Sequence, residues 1–454
     1  MDRLLPFLRR RLKGETVMAL SPAPALRPGV RRWLAAHRTA LVLLPILLAV
    51  AAAAVHRTTG LFWGDFAVYQ AGAAAATRGD GHLYEVTHQG TDGIVLGFTY
   101  PPFAAFLLQP IAYVDPSVGV GIWLLVSVVA LSAVVGVTLR ALGVAASAGA
   151  VLTGTVALLP VFPVAGHLQV GQVGLFLMLI VLVDLLRGPG RRWHGLGVGI
   201  AAGVKLTPLI FVAYLVFTGR WRAAGVALAG FAATIGIGFA WRPQDSARFW
   251  GGGLLDTDRV TGDPRTVLNQ SLHGALARLG DTADVRAVWL PLAAAVAVAG
   301  LVIAARCARA GEPLLGVLAC AVTGLLVSPV SWHHHWVWCV PALTLLVVRG
   351  RRAGHRIAVL LGVALWAVLV LSAGWTVIGL RGTDLHFQGW ELLHTNTYVL
   401  VGTAALGWLA LRPGGSSVDA AATQPEPAAT PAAQPEGRDE TTVNRADTIE
   451  GGIR

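Results

Sequence analysis

Asp65 is the first residue in the chain whose setting suggests chemistry. It stands beside Trp63 and Phe66 in FWGDFAVYQAG. A carboxylate poised between water and apolar surroundings has a tunable pKa, so Asp65 is a candidate general base. Aspartate at the start of a helix is also a common cap. This motif alone leaves the two interpretations about equally open.

Lys205 is an isolated cation within the apolar stretch GIAAGVKLTPLIF, and the only other lysine is Lys13. An ammonium group at the centre of a membrane helix costs about 2.5–3.5 kcal/mol on insertion scales. We interpret Lys205 as a cation that reaches a phosphate at the Thr-Pro turn that follows it. The alternative is a lysine that extends along apolar surface to the membrane interface.

Three consecutive histidines, His333, His334 and His335, follow Trp332 in SPVSWHHHWVW. Neighbouring residues on a helix point in different directions, so the three are a poor metal site. Two of them are expected to face a polar cavity. The alternative is a belt of aromatic residues that anchors the chain at a membrane interface, with incidental histidines.

Further polar residues stand in segments predicted to share one side of a membrane. The segment 242–286 is longer than a plain connection and is expected to cover a site, although a solvated loop or simple turn chemistry would also explain these residues. The remaining candidates for binding a substrate or a donor phosphate are Arg259, Arg265, Asn269, Gln270, His167, Gln172, Tyr69 and Tyr100.

Composition indicates a membrane protein. Of 454 residues, 55% are hydrophobic and only 13% are charged, whereas soluble domains carry about 25% charged residues. Several apolar runs approach the length of about 20 residues that spans a bilayer. The net charge of +11 comes from arginine clusters typical of cytoplasmic flanks. No nucleic-acid motif accompanies them, so no nucleic-acid partner is predicted.

The apolar pattern predicts an all-α polytopic fold with about 12 transmembrane helices. The twelve include a hairpin of two short helices. Juxtamembrane helices on the outer side are predicted in addition. Residues 99–114 are predicted to be a half-buried or re-entrant segment. The predicted helices are 39–56, 118–139, 143–165, 170–187, 194–204, 207–217, 223–241, 287–307, 313–328, 336–349, 356–378 and 397–412.

Arginine clusters between alternate helices orient this layout in the plasma membrane. They predict a basic cytoplasmic segment 1–38, a transmembrane domain 39–412 and a disordered cytoplasmic tail 413–454. The outer side then carries a first loop, 57–117, and the large loop 242–286. Within the first loop, Phe66, Tyr69, Ala73 and Ala76 recur at helical spacing and predict an amphipathic helix lying on the membrane surface.

Six stretches, taken together and in order, resemble glycosyltransferase family 87, the polyprenyl-phosphate-mannose-dependent mannosyltransferases of actinobacteria. The family's best-known type is the α-1,2-mannosyltransferase of phosphatidylinositol-mannoside synthesis. The stretches are GDFAVYQAG with LYE, FTYPPF, GHLQVGQ, GVKLTP, NQSLHG and SPVSWHHHW.

The resemblance implies a GT-C glycosyltransferase fold with its site at the outer leaflet. It also implies that Asp65 is the catalytic carboxylate and that His333, His334 and His335 supply polar contacts. Asp65 stands alone and is not part of a paired DxD, so neither a bound metal nor a cofactor is predicted. Family members differ in acceptor, and a glycolipid or a glycan acceptor both stay open.

The residue types fit an inverting transfer of a hexose, with mannose implied by the resemblance, from a polyprenyl-phosphate sugar embedded among membrane lipids. Asp65 takes the proton of the acceptor hydroxyl, and Lys205 with outer-loop arginines or histidines meets the departing phosphate. Two alternatives remain. One is a transporter or flippase of an amphiphilic lipid-linked substrate, and the other is a ligase that uses a polyprenyl-diphosphate donor.

Overall fold

The computed structural model describes residues 64–79, 82–89, 95–188, 190–252, 263–379 and 385–412, with the backbone alone for 373–379. The predicted basic segment 1–38, the predicted helix 39–56, the predicted tail 413–454 and Arg259 lie outside the described residues.

The described part of the chain is mostly helical. Short 3-10 turns interrupt the α-helices at Leu83–Glu85, Gln109–Tyr113, Thr207–Leu209 and His333–Trp338. The α-helices are α1 Gly64–Arg78, α2 Pro102–Leu108, α3 Pro116–Ala141, α4 Ala148–Leu158, α5 Phe162–Val170, α6 Gly174–Leu186, α7 Leu196–Val204, α8 Ile210–Phe217, α9 Trp221–Trp241, α10 Pro243–Trp250, α11 Leu272–Gly280, α12 Arg286–Arg309, α13 Pro313–Val327, α14 Cys339–Arg352, α15 Arg356–Gly379, α16 Glu391–Thr395 and α17 Thr397–Leu411.

A small antiparallel hairpin follows α1 in the first loop. Strand β1, Thr87–Gln89, pairs with β2, Val95–Gly97, with His88 opposite Leu96. The ring of Tyr84, just before β1, stacks on Phe249 of α10 with centroids 5.6 Å apart. The hairpin is therefore fastened to the segment that follows α9.

The long apolar helices confirm a membrane protein. Among the described residues, α3, α9 and α12 are long and apolar enough to cross a membrane, and α4 with α5 makes a fourth candidate if the bent pair counts as one span. Other apolar helices, such as α6, α13 and α17, are shorter. The predicted number of about 12 spans is not confirmed.

Two predicted helices have a different form. The helix predicted over 143–165 is wrong as a single element, because α4 and α5 meet at an angle of 85°. Pro160 and Pro163 stand at this break, where proline removes a backbone donor and cannot continue a straight helix. The helix predicted over 336–349 follows a 3-10 turn and runs instead over α14.

The prediction that α1 is an amphipathic helix is also wrong. Phe66, Tyr69, Ala73 and Ala76 are buried as a stripe, but Val68 is buried as well. A surface helix keeps one polar face in water. Protein surrounds α1 on more than one side, so it is a core element of the first loop.

Glycines let α7 pack directly on the backbone of α9. Gly195, Gly199 and Gly203 recur every four residues, the small-residue spacing of close helix pairs in membranes. A Cβ on Gly199 would lie 2.2 Å from the carbonyl oxygen of Ala227, and one on Gly203 would lie 2.2 Å from Thr234 Oγ1. This contact fixes the end of α7, which is directly followed by Lys205.

The arginine-rich ends of several helices meet at one end of the bundle. Arg352 of α14 donates to the carbonyl oxygens of Leu142, at 2.6 Å, and Gly143, at 2.7 Å, just after α3. Arg349 pairs with Glu312, before α13, and Arg306 of α12 donates to the carbonyl oxygen of Ala410 in α17, at 3.3 Å. The common end is the one expected if these basic flanks share one side of a membrane.

We predict that Gly199→Ala destabilises the protein because the new methyl group must push α7 away from rigid backbone. Overpacking of this kind costs about 1–3 kcal/mol. The matched control is Gly236→Ala in α9, where nothing lies within 4 Å of the added Cβ. Thermal unfolding of the detergent-solubilised variants should show a lower melting temperature for Gly199→Ala only. Equal melting temperatures for the two variants would contradict the packing described.

Candidate active site

Asp65 lies in the first turn of α1, where the helix dipole favours a negative charge. The neighbouring Phe66 and Tyr69 are 2% and 0% exposed, and they fix the helix within the protein. At its other end, the guanidinium of Arg242 donates to the carbonyl oxygen of Ala76 and, at 3.2 Å, to that of Thr77. Contacts thus hold both ends of α1, so the backbone that carries the half-buried Asp65 side chain is fixed in position.

Gln172 stands on the turn between α5 and α6. Gly171 ends α5 with φ at 73°, the left-handed conformation that favours glycine. The backbone N–H groups of Gly171 and Gln172 both donate to the carbonyl oxygen of His167, at 3.1 Å. A Cβ on Gly171 would lie 2.7 Å from Phe66 Cβ, so glycine here allows the turn to approach α1.

Lys205 follows α7 in an extended conformation, with φ at −146° and ψ at 133°. A new 3-10 turn, with Pro208 at its centre, then begins at Thr207. The helical run therefore breaks at the lysine, as the sequence predicts for a short-helix hairpin. A break in a buried helix exposes backbone and side-chain polar groups inside the protein, which a membrane tolerates only where protein or water covers them.

His335 belongs to the 3-10 turn His333–Trp338. Its nitrogen Nε2 lies 3.0 Å from Lys205 Nζ. Because a charged ammonium has no lone pair, the imidazole is the acceptor and its proton resides on Nδ1. The turn thus brings a neutral imidazole to Lys205.

These residues form one polar group, which we call the Asp65–Lys205 cluster. The hydroxyls of Tyr69 and Tyr100 are 2.8 Å apart. Lys205 Nζ donates to the Tyr100 hydroxyl and to Gln172 Oε1, each at 3.4 Å, and the charge of Lys205 acts on the Asp65 carboxyl. The members of the cluster are Asp65, Tyr69, Tyr100, Gln172, Lys205 and His335.

The electrostatics of the cluster favour a base that works near neutrality. Burial raises the pKa of the Asp65 carboxyl to about 6, while the nearby charge of Lys205 and the nearby polar side chain of Gln172 oppose this rise. Such a carboxyl is ionised at pH 7, and it is more basic than an ordinary aspartate. The sequence interpretation of Asp65 as a tuned base thus has a physical cause, and capping alone does not account for the cluster around it.

An apolar groove opens from the cluster between α6, α8 and α13. Lys205 and His335 stand in its wall beside apolar side chains that include Leu177, Phe211 and Leu325. One cavity therefore combines a cation, an imidazole and an apolar lining. This combination suits an amphiphile with an anionic head.

The other candidate histidines are buried next to the cluster. His167 Nε2 accepts a hydrogen bond from the Leu175 N–H at 2.9 Å, which links α5 to the start of α6. The ring of His333 stacks on Phe162 with centroids 4.5 Å apart. Both ring nitrogens of His334 lack a hydrogen-bond partner among the described residues. In the same part of the chain, no group of three or more His, Cys, Asp or Glu is placed to hold a metal ion.

Asn269 and Gln270 lie outside the cluster and tie the large loop to the histidine segment. Asn269 Oδ1 accepts from the Ser331 N–H at 3.1 Å, and the Gln270 N–H donates to the Ser331 carbonyl oxygen at 2.7 Å. Gln270 Nε2 donates to the carbonyl oxygens of Val267, at 2.7 Å, and Thr395, at 2.6 Å. The two amides are thus engaged by the protein itself, and they support the turn that carries His335.

Arg265 pairs with Asp263 at 2.7 Å and with Asp281 at 3.4 Å. It makes no hydrogen bond to the cluster among the described residues. Its pKa is raised above the ordinary value, chiefly by the hydrogen bond to Asp263. The structure therefore gives Arg265 partners within the loop, and the predicted contact with a donor phosphate has no geometric support here.

Sequence reasoning missed Arg278. Its side chain is 1% exposed, and it donates to Asn396 Oδ1 at 2.7 Å and to the carbonyl oxygens of Thr266 and Asn269 at 2.8 and 3.0 Å. One guanidinium thereby joins the large loop to the start of α17. Its position in the apolar stretch LHGALARLG was the available signal.

We predict that Lys205→Met raises the pKa of Asp65, because the variant removes the cation that favours the ionised carboxyl. Isotope-edited infrared titration of labelled aspartate, with Asp65→Asn used to assign the band, measures the shift. The control Arg265→Met removes a cation that has no bond to the cluster. An Asp65 titration midpoint unchanged by Lys205→Met would show that the two groups are not electrostatically coupled.

Known proteins resemble this chain over most of its length. The family description "Glycosyltransferase family 87" matches residues 98–329. A polyprenol-phosphate-mannose-dependent alpha-(1-2)-phosphatidylinositol pentamannoside mannosyltransferase of Mycolicibacterium smegmatis is 33% identical over 78% of this chain and 86% of its own length. A corresponding phosphatidylinositol mannoside mannosyltransferase of Mycobacterium tuberculosis is 38% identical over 70% of this chain and 76% of its own.

No solved structure is significantly similar to the chain, so the GT-C fold implied by the sequence stays a prediction. The family resemblance itself is confirmed by the matched family description and by the relatives' identity and coverage. The chain belongs to glycosyltransferase family 87.

Proposed function

We propose that this membrane glycosyltransferase moves mannose from a polyprenyl-phosphate donor to a glycolipid of the phosphatidylinositol mannoside class. The donor and acceptor are carried over from the names of the mycobacterial relatives. The observation that carries the proposal is the Asp65–Lys205 cluster, in which a carboxyl and a cation share one polar site beside an apolar groove.

The groove supports the donor half of the proposal. A polyprenyl phosphate has a charged head and a long apolar chain. Lys205 and His335 line the same groove as Leu177 and Phe211. A phosphate bound at Lys205 and His335 would therefore place the polyprenyl chain along Leu177 and Phe211. The cation and the Nδ1–H of the imidazole would each meet the phosphate charge without bound water.

Transfer with inversion then needs few steps. Asp65 accepts the proton of the acceptor hydroxyl, and the oxygen of that hydroxyl forms a bond to the anomeric carbon of mannose. The bond between that carbon and the phosphate oxygen breaks, and the phosphate keeps the electron pair. Lys205 and His335 stabilise the charge that develops there. General-base catalysis of this kind contributes about 10²–10⁴-fold.

The outer face of the plasma membrane is the proposed location. The arginine ends of α12 and α14 contact the ends of α17 and α3 at one end of the bundle. Positive flanks favour the cytoplasm, and this arrangement supports an outward-facing cluster with both termini inside. The GT-C fold and the full set of predicted spans belong to this proposal.

A donor assay separates this function from its rivals. Purified protein in nanodiscs receives polyprenyl-phosphate [¹⁴C]mannose and a phosphatidylinositol mannoside acceptor. Sugar transfer without any vesicle lumen excludes a transporter as the sole activity. Transfer from a polyprenyl-diphosphate sugar in preference to the monophosphate would instead support the ligase alternative.

We predict that Asp65→Asn lowers the transfer rate about 10²–10⁴-fold, because the amide cannot accept the hydroxyl proton. Donor binding should survive, since Lys205 and His335 are retained. The control is Asp115→Asn at the start of α3, where the carboxylate caps Ser117 N at 3.0 Å and asparagine caps nearly as well. Robust transfer by Asp65→Asn would contradict the general-base assignment.

Leu325→Trp is predicted to obstruct the apolar groove. The Michaelis constant should rise for a long-chain polyprenyl-phosphate mannose and change little for a short-chain analogue, because only the long chain needs the groove. Leu292→Trp, on an exposed face of α12, is the control for added bulk. A similar effect on both donors would argue against a chain-binding groove.

A further inference from the structure

Lys205 makes its shortest hydrogen bond to His335. Its Nζ atom lies 3.0 Å from His335 Nε2, and 3.4 Å from both the Tyr100 hydroxyl and Gln172 Oε1. We propose that Lys205 acts on the donor phosphate through His335, by fixing and polarising the imidazole whose Nδ1–H hydrogen-bonds to the phosphate. The inference rests on the proposed function, and it makes Lys205 a positioning residue.

The two other partners of Lys205 lie on the side away from the groove. Lys205 and His335 line the groove, whereas the described part of its lining includes neither Tyr100 nor Gln172, which are 6% and 3% exposed. The Tyr100 hydroxyl and Gln172 Oε1 are themselves 3.4 Å apart, so they form one pair of acceptors behind the ammonium. His335 is therefore the partner of Lys205 on the groove side.

Tyr69 holds this pair of acceptors in place. Its hydroxyl donates to Gln172 Oε1 at 3.1 Å and lies 2.8 Å from the Tyr100 hydroxyl, and its ring meets that of Tyr100 edge-on, with centroids 5.1 Å apart. Lys205 Nζ also lies 5.3 Å from the centroid of the Tyr100 ring, within the range of a cation–π contact. The ammonium is thus anchored from behind by side chains that hold one another.

Every hydrogen-bond partner of Lys205 is uncharged. In the part of the chain that the structure describes, no carboxylate forms a salt bridge with it. A carboxylate in direct contact would neutralise the ammonium, and its absence leaves the charge available to an anion that enters the groove. The shortest of the three hydrogen bonds passes part of this charge to His335 by polarising the ring.

The imidazole can accept from Lys205 and donate to a phosphate at the same time. A neutral imidazole has one acceptor nitrogen and one N–H group. Since Nε2 accepts from Lys205, Nδ1 carries the proton, and it makes no hydrogen bond within the described residues. It is also not enclosed without a partner, as both nitrogens of His334 are. Nδ1–H is therefore the free donor of this pair of side chains.

Lys205 decides which face of the ring chemistry the groove receives. The ring of His335 is held in place, because its backbone N–H donates to the Trp332 carbonyl oxygen at 2.8 Å and the ring meets that of His334 edge-on, with centroids 4.9 Å apart. Without a partner at Nε2, the proton could reside on either nitrogen, and the second tautomer would turn a lone pair toward the phosphate. The ammonium excludes that tautomer because it cannot accept from an Nε2–H.

Two substitutions of His335 separate the tasks of its nitrogens. Asparagine places an amide nitrogen near the position of Nδ1, and glutamine places its amide near the position of Nε2. His335→Asn therefore keeps a donor toward the groove, whereas His335→Gln keeps a partner for Lys205 and loses that donor. Lys205→Met removes the cation and retains the ring. The matched controls are His355→Asn and His355→Gln, because His355 is exposed and makes no side-chain hydrogen bond to the cluster among the described residues.

Two readouts avoid any dependence on turnover. One is the affinity of each variant, in nanodiscs, for polyprenyl phosphate, which is the donor without its sugar. The other is solid-state NMR of ¹⁵N-labelled histidine, which distinguishes protonated from unprotonated ring nitrogens, with the spectrum of His335→Asn subtracted to assign His335. In the wild-type protein we expect a protonated Nδ1 and an unprotonated Nε2, and polyprenyl phosphate should shift the Nδ1 signal.

We expect His335→Gln and Lys205→Met each to weaken the binding of polyprenyl phosphate about tenfold or more, the usual scale for a hydrogen bond to a charged group. His335→Asn should lose about threefold or less, and the His355 variants should bind as the wild type does. Lys205→Met should also show a population with Nε2–H. Adding Lys205→Met to His335→Gln should weaken binding little further, because the cation acts through the ring.

Two results would overturn the proposal. Losses that multiply in the double variant would show that Lys205 binds the phosphate independently of His335. A His335 ring protonated at Nε2 in the wild-type protein would show that Lys205 does not set the tautomer.

The failure of the proposed function is a different outcome. If polyprenyl phosphate shifts the Nδ1 signal but the purified protein transfers no mannose, the phosphate site is as described and the proposed reaction is wrong. If mannose is transferred while the two losses multiply, the proposed function stands and Lys205 contacts the phosphate directly.

Discussion

The electrostatic link between Asp65 and Lys205 is the constraint on which the rest of the site depends. An isolated ammonium within apolar protein is costly, and so is an isolated carboxylate. Here each charge reduces the cost of the other, and the Gln172 carbonyl oxygen accepts a hydrogen bond from Lys205. The arrangement keeps both groups charged, which is the state that proton abstraction and phosphate binding require.

The fold serves this link by breaking its helices at the right places. The turn at Gly171 presents Gln172, the end of α7 presents Lys205, and the 3-10 turn at His333–Trp338 presents His335. Each break would cost hydrogen bonds in lipid, and each is covered by protein. The contact of Gly199 with α9 supports the end of α7 at Lys205. The buried Arg278 joins the large loop, which supports the turn of His335, to Asn396. Much of the bundle thus positions three short segments at which the α-helices are interrupted.

The sequence was informative about the elements and about most of the cluster. Apolar runs place α3, α9, α12 and α13 within a few residues, because hydropathy is a local property. Isolated charged residues in such runs stand out, and Lys205 was found in this way, whereas Gln172 was found as a polar residue at a predicted outer turn. Their convergence on Asp65 could not be read from periodicity, since residues 65, 172 and 205 are brought together only by tertiary packing. The family resemblance implied only the catalytic role of Asp65 and polar contacts from the three histidines.

Where sequence reasoning was wrong or silent, long-range contacts are the cause. The helix of Asp65 has the spacing of a surface helix, but α2, α3 and α5 cover it. Asn269 and Gln270 look like ligands because they are polar residues in an outer loop. In the structure Asn269 hydrogen-bonds to Ser331, just before the histidines, and Gln270 hydrogen-bonds to Thr395. Arg278 looks like an ordinary surface arginine, and nothing local predicts the carbonyl oxygens that surround it.

The most direct test of this account is a double-mutant cycle on the mannosyl-transfer kcat/KM, with Asp65→Asn, Lys205→Met and the double variant. Residues that act as one unit give strongly non-additive losses. The account predicts that the double variant loses about as much as the more damaging single variant. A loss equal to the product of the two single losses would show that Asp65 and Lys205 act independently, and would contradict it.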